Sequence, residues 1–171
     1  MNSYNNLPLS AKISNNALVT TGATTQYPLY EYYGRDIDIW FNTLHSINSP
    51  TSYGAYLYGS SGYNIDFRNN LSAYTGTGTG YVLYNNSSAL FTANNYNSYF
   101  TNSTSTTAFY YNAGSYTWAT LPKTTHNINS TYGEPYFISN TDLHARSYAA
   151  YRAGQAIAEV LTDFDGQTRS T

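Results

Sequence analysis

The sequence predicts an all-β fold, a right-handed parallel β-helix with about 26–28 residues per coil and an irregular C-terminal cap. Three observations carry that prediction. Ile37-Asp38-Ile39-Trp40-Phe41-Asn42-Thr43-Leu44 has a near copy, 28 residues on, in Ile65-Asp66-Phe67-Arg68-Asn69-Asn70-Leu71-Ser72. Asn16, Asn42, Asn70 and Asn97 recur at spacings of 26, 28 and 27. Tyr32, Tyr58, Tyr84 and Tyr110 recur at 26, 26 and 26. A short strand unit returning at a fixed period marks a solenoid, in which each coil buries its apolar face on its neighbours.

The elements follow in order. Residues 1–11 are a polar lead-in. The coils occupy 12–145, and 146–171 form the cap. In the first coil, Lys12 to Val19 is a strand, Thr21-Gly22 a turn and Tyr27 to Tyr33 the partner strand, closed by Gly34. The second coil runs from Arg35 to Gly62 and turns at Asn48-Ser49-Pro50. The third runs from Tyr63 to Ala89 and turns at Thr75-Gly76-Thr77-Gly78. In the fourth, Leu90 to Asn94 makes a poor strand and Thr107 to Tyr111 a good one. Tyr116 to Pro122 reads as a turn of helix, Glu134 to Ile138 as one more strand, and the Ala-rich run 149–161 as helical. The whole gives four to six coils. Asn16, Asn42, Asn70 and Asn97 suit the bends, since Asn tolerates the left-handed region and its amide can bond the next Asn in the stack.

Composition narrows the function. Only 9% of residues are charged and the net charge is −2, so no basic field exists to attract nucleic acid. No Cys is present, which excludes disulfides and thiolate chemistry. No apolar run reaches the ~20 residues of a membrane span. Met1 to Asn6 lack the regions of a signal peptide, so an extracellular setting would make this chain a mature or excised piece.

The end of the chain carries a resemblance. The I-x-I-x-x-N coil is followed by Pro135-Tyr136-Phe137 with Asp142-Leu143-His144, then Ala153-Gly154, then Asp163-Phe164-Asp165-Gly166-Gln167-Thr168-Arg169. In this order the motifs resemble the C-terminal coils of pectin-lyase-like parallel β-helix proteins, as in large secreted surface proteins of Bacteroidetes-type bacteria. The resemblance covers residues 12–171. It departs where Ser147-Tyr148-Ala149 replaces the usual Ser-Pro-Ala. It implies a β-helix and an extracellular or cell-surface location, without implying catalysis.

Three kinds of side chain are candidates for chemistry. The 21 tyrosines exceed what a narrow core can hide. Tyr56, Tyr58, Tyr84 and Tyr110 are expected to form an exposed ridge able to stack on sugar rings or on a second copy. Asp36, Asp38 and Asp66 are the best acidic group. Asp38 and Asp66 occupy equivalent places in adjacent coils and with Asp36 offer hard oxygens to a structural calcium. Lyases related by the resemblance use calcium and an Arg base, and Arg68 lies close by. His45, His126 and His144 show no metal-ligand spacing. Asp163, Asp165 and Gly166 are expected to reverse the chain, with Arg169 pairing to an Asp.

The leading expectation is therefore a non-catalytic structural or adhesive protein of the cell surface, self-associating into dimers or filaments through the open end of its first coil. The alternatives are a carbohydrate-binding module using the Tyr ridge, and a calcium-dependent polysaccharide lyase.

Overall fold

A computed structural model describes residues 11–103, 107–150 and 153–169. The chain is a parallel β-solenoid of about four turns. The first coil contributes β1 (Ala11–Ser14), β2 (Ala17–Thr21) and β3 (Leu29–Tyr32). The second contributes β4 (Ile37–Trp40), β5 (Thr43–Ile47) and β6 (Thr51–Tyr58). The third contributes β7 (Ile65–Arg68), β8 (Leu71–Thr75) and β9 (Thr79–Asn85), and the fourth β10 (Phe91–Asn95), β11 (Ser98–Thr101) and β12 (Phe109–Tyr111). Then follow β13 (Gly114–Tyr116) and β14 (Thr131–Tyr132). Sheet one is β1-β4-β7-β10, sheet two β2-β5-β8-β11-β14 and sheet three β3-β6-β9-β12-β13. Most of the lead-in, residues 1–10, lies outside the described residues.

The corner between sheets one and two is built from a pair of residues in every coil. Asn15, Phe41, Asn69 and Tyr96 take positive φ (58, 55, 59 and 56°). The Asn that follows each of them turns inward. The expectation that the ladder asparagines themselves occupy the left-handed region is thus corrected: the residue before each one does. Phe41 and Tyr96 bear that backbone cost because the Asn beside them is fully bonded. In Asn42, Asn70 and Asn97, Oδ1 accepts the backbone N–H and the side-chain amide of the Asn one coil earlier. The amide contacts are 2.9 Å for Asn16 to Asn42, 3.1 Å for Asn42 to Asn70 and 3.3 Å for Asn70 to Asn97. Ser130 Oγ then accepts the Asn97 N–H.

The core is one apolar column along the axis. Ile39, Leu44, Leu57, Ile65, Phe67, Leu83 and Phe109 are fully buried. Tyr63, Tyr74, Tyr99 and Tyr111 belong to it as well; Tyr74 donates to the Ser49 carbonyl at 2.6 Å and Tyr99 to Asn127 Oδ1 at 3.1 Å. A buried phenol needs such a partner.

The structure differs from expectation in several elements. Of Leu90 to Asn94, Leu90 ends a short 3-10 turn and the rest lies in the strand β10, with a register slip between Phe91 and Ala93 that disguises its periodicity. Tyr116 to Pro122 does contain one helix-like turn, Leu121 N–H to the Thr117 carbonyl. Glu134 to Ile138 is not a strand. Pro135 has no N–H to donate, Tyr136 takes φ 48°, and only the bridge Phe137–Ala145 forms. The described part of 149–161 is not helical; it is irregular, with a turn closed by Val160 N–H to the Ile157 carbonyl, and side chains of the coils hold it.

The last core layer is closed by residues 112–133. The β12–β13 hairpin turns at Asn112 and Ala113, both at positive φ, and converts the parallel edge of sheet three into an antiparallel pair. Trp118 stacks on Tyr132 at 5.8 Å, and Lys123 Nζ lies 3.6 Å from the Trp118 ring centre. The irregular segment at 153–169 lies elsewhere, lengthwise along the corner between sheets one and two.

Candidate functional site: a tyrosine lattice on sheet three

The solvent face of sheet three starts from a break in strand alternation. Two consecutive residues are buried in each of three coils: Gly54-Ala55, Val82-Leu83 and Ala108-Phe109. Pro28-Leu29 holds the same place in the first. Gly54 fits because a Cβ there would sit 2.2 Å from Ser72 Oγ and 2.8 Å from the Val82 carbonyl. The break changes which residues point outward, so tyrosines three apart share the outer face. The motif is Y-x-x-Y-x-[YN], read as Tyr27/Tyr30/Tyr32, Tyr53/Tyr56/Tyr58 and Tyr81/Tyr84/Asn86.

These rings form a lattice. The central column is Tyr30–Tyr56–Tyr84–Tyr110, with centroids 5.0, 4.4 and 4.4 Å apart and ring planes within 12° of parallel. A second column, Tyr27–Tyr53, stacks at 5.0 Å and continues tilted to Tyr81 at 5.8 Å. A third, Tyr32–Tyr58, stacks at 5.0 Å. Edge-to-face contacts lock the first two together, such as Tyr53–Tyr56 at 5.5 Å. Each contact of this kind is worth about 0.5–1.5 kcal/mol beyond area burial.

The register corrects the sequence reading. Tyr58 does not stack on Tyr84. Tyr56 is the partner of Tyr84, because the second-to-third coil step is 28 residues, as the asparagine column already shows. Tyr27 and Tyr30 are not among the expected ridge residues. The Y-x-x-Y-x-[YN] spacing, aligned to the asparagine column, is the signal that finds them.

The lattice is neutral. Burial by neighbouring rings, with Tyr84 adding its own charge repulsion, pushes the Tyr56 phenol up to about 12. Tyr53 and Tyr84 are raised for the same first reason. Ring faces inside the columns are covered by each other, so the interior rings show edges and hydroxyls to solvent. The first coil is more open: Tyr30 and Tyr32 are 54% and 53% exposed.

The acidic candidates lie on sheet one. Asp38 and Asp66 are direct partners across β4 and β7. Burial, then the neighbouring Asp66, raises the Asp38 carboxyl above its ordinary value. Asp66 is held by Arg68, whose Nε lies 2.7 Å from Oδ1, and Arg68 also reaches Gln155. Asp36 stands at the preceding corner and accepts from Asn64 Nδ2 at 2.7 Å. Among the described residues, no three His, Cys, Asp or Glu side chains are grouped as metal ligands.

The remaining candidates are tied into the fold. His45 is buried under Phe137, bonds Thr75 Oγ1 at 2.8 Å and is pushed down to about 4 by burial. His126 is lowered by burial as well. His144 bridges Asp142 and Asp165, and these two hydrogen bonds raise it to about 9. Asp163 Oδ1 accepts the N–H groups of Asp165 and Gln167, while Gly166 N–H bonds the Asp163 carbonyl, so this stretch does reverse the chain. Among the described residues, Arg169 makes no ion pair with an Asp. Its Nη2 donates to Asn15 Oδ1 at 2.8 Å and its guanidinium lies 3.8 Å from the Phe41 ring centre.

The described surface also has two uncharged recesses. One of about 380 Å³ lies between Asn48, Thr75, Thr77, Asn102 and Asn140; one of about 190 Å³ lies between Tyr111, Tyr116, Pro122 and His126. No protein-family model, curated protein or solved structure matches the chain.

Proposed function

We propose that the protein is a non-catalytic structural or adhesive unit of the cell surface that associates with copies of itself, using the tyrosine face of sheet three. The observation that carries this reading is the lattice: three ring columns on one uncharged face, with interior ring faces already spent on one another. Such a face offers repeated apolar edges and hydroxyls at the coil spacing of ~4.8 Å. It suits another extended surface better than one isolated ligand. The resemblance of the coil and closing motifs to β-helix surface proteins supports the extracellular setting.

Sedimentation velocity across a wide concentration range, with electron microscopy of the same samples, tests the reading. Concentration-dependent association is expected. Replacing Tyr56, Tyr58 and Tyr84 together by Phe keeps the stacking and removes three hydroxyls, so it should weaken association while leaving the circular dichroism unchanged. A chain that stays monomeric throughout overturns the proposal.

One observation favours a second reading. The open rings Tyr30 and Tyr32 give the first coil a flat platform on which a pyranose can stack, so a glycan would bind there and not along Tyr56, Tyr84 and Tyr110. Glycan-array binding that is lost in Tyr30→Ala with Tyr32→Ala would establish it. The Phe variant above would leave it intact.

A further inference from the structure

Residues 153–169 form a strap attached to the outside of three successive coils. It meets the left-handed corner residues in turn. At the third coil, Gln155 N–H donates to Asn69 Oδ1 at 2.7 Å and Asn69 Nδ2 returns a bond to the Gln155 carbonyl at 2.8 Å. At the second coil, Ile157 and Val160 bury themselves on Trp40 beside Phe41, a small apolar cluster separate from the main core. At the first coil, Asn15 Nδ2 donates to the Thr162 carbonyl at 2.8 Å and accepts from Arg169.

The manner of attachment matters. Every backbone–backbone hydrogen bond of the described strap is internal to it, such as Asp163 N–H to the Gln167 carbonyl. None joins a sheet. The strap is held by side chains and two apolar anchors, which places it at the low end of local stability. Just before it, at a turn, Tyr148 is 92% exposed. Leu161 is 65% exposed, and Tyr136, Ile138 and Phe164 are exposed too. Apart from the tyrosine face, this flank carries most of the large exposed apolar groups.

We propose that the strap is exchanged between copies, the residues 153–169 of one chain docking on the Asn15–Phe41–Asn69 corner of a second. The occupant is chosen by chemistry already present. The corner binds this sequence within one chain, and the same contacts form between two. The balance between the closed and exchanged forms then depends only on effective concentration and on the extra apolar surface covered when two straps cross. The proposal rests on the self-association reading and names its partner segment.

The absence of native cysteine gives a clean test. Full-length Asn69→Cys and full-length Gln155→Cys, carrying different mass labels, are mixed, incubated at high concentration and oxidised. Exchange predicts the mixed 69–155 disulfide in severalfold excess over the 69–69 and 155–155 species, rising with concentration. Because position 69 has positive φ, Arg68→Cys with Gln155→Cys, joined by a short bis-maleimide, is run alongside. Mixed and like-with-like products in random proportion in both pairs, from a chain that does associate, overturn exchange and leave the association reading standing. A monomeric parent chain overturns both.

Discussion

Asn70→Ala should remove a large share of the stability of the solenoid, and the structure allows the loss to be estimated. Asn70 is 1% exposed and lies in the middle of the corner ladder. Its Oδ1 accepts the Asn42 N–H at 3.0 Å and the Asn42 amide at 3.1 Å, and its Nδ2 donates to the Ile39 carbonyl at 2.8 Å. Alanine orphans the buried Asn42 N–H and takes the side-chain donor from the Ile39 carbonyl. Each loss costs about 1–3 kcal/mol, and the vacated volume adds about 1 kcal/mol. The expected loss is about 3–7 kcal/mol, against a typical total of about 5–15 kcal/mol. Asn16 is the control. It is half-buried, at the first rung, and its side chain only donates, to the Ser14 carbonyl and Asn42 Oδ1. Asn16→Ala should cost about 1 kcal/mol. Urea unfolding followed by circular dichroism reads both midpoints. Equal losses at the two positions, or a loss under about 1 kcal/mol at Asn70, would refute the claim that the ladder is a buried, cumulative bond.

Other consequences are as direct. Tyr84→Ala removes two parallel stacks at 4.4 Å and should cost about 1–3 kcal/mol, with loss of the near-ultraviolet dichroism of the coupled rings. Glu31 points inward with Oε2 unpartnered, and burial raises its carboxyl above the ordinary 4.5. A raised folded-state value makes the group a growing liability as pH rises past 4.5, so Glu31→Gln should raise the urea midpoint at pH 7 and gain nothing below pH 4.5. His45 has the opposite slope: its folded value of about 4 lies below 6.5, so its contribution is complete above pH 6.5 and is lost as pH falls toward 4, a dependence that His45→Gln should flatten. In Gly80→Ala the new Cβ would lie 2.3 Å from the Ser52 carbonyl oxygen, a backbone clash expected to cost about 1–3 kcal/mol in the same unfolding assay.

The fold was legible because its two strongest signals are geometric. A parallel coil must repeat the residue that satisfies its corner, so Asn16, Asn42, Asn70 and Asn97 keep step whatever the loops do. Sheet one repeats Ile37/Ile65 and Ile39/Phe67 because both pairs are stacked core. The tyrosine register was harder to read. With 21 tyrosines, a column at 26, 26, 26 can be drawn through Tyr58 and Tyr84, although they are not partners. Only the two extra residues between the second and third coils, visible in the asparagine spacing, exclude it. The closing segment was misread for a different reason. Alanine-rich sequence favours a helix locally, but Asn69, Trp40 and Asn15 offer tertiary contacts that an irregular strap with turns meets instead.

The break in alternation explains why the outer face differs from that of an ordinary solenoid sheet. Strict alternation would place Tyr53 and Tyr56 on opposite sides, one in the core and one in water. Burying Gly54 and Ala55 in succession brings both rings outside. The same step is taken at Val82-Leu83, where it brings out Tyr81 and Tyr84. The core accepts two small or aliphatic residues in place of one, and the surface gains a second column that locks edge-on to the first. Repeating the break in successive coils adds nothing to the corners and little to the core, and its consistent product is a broad, neutral, aromatic face. That arrangement is the reason we propose a role in surface contact through sheet three, away from the paired acids of sheet one.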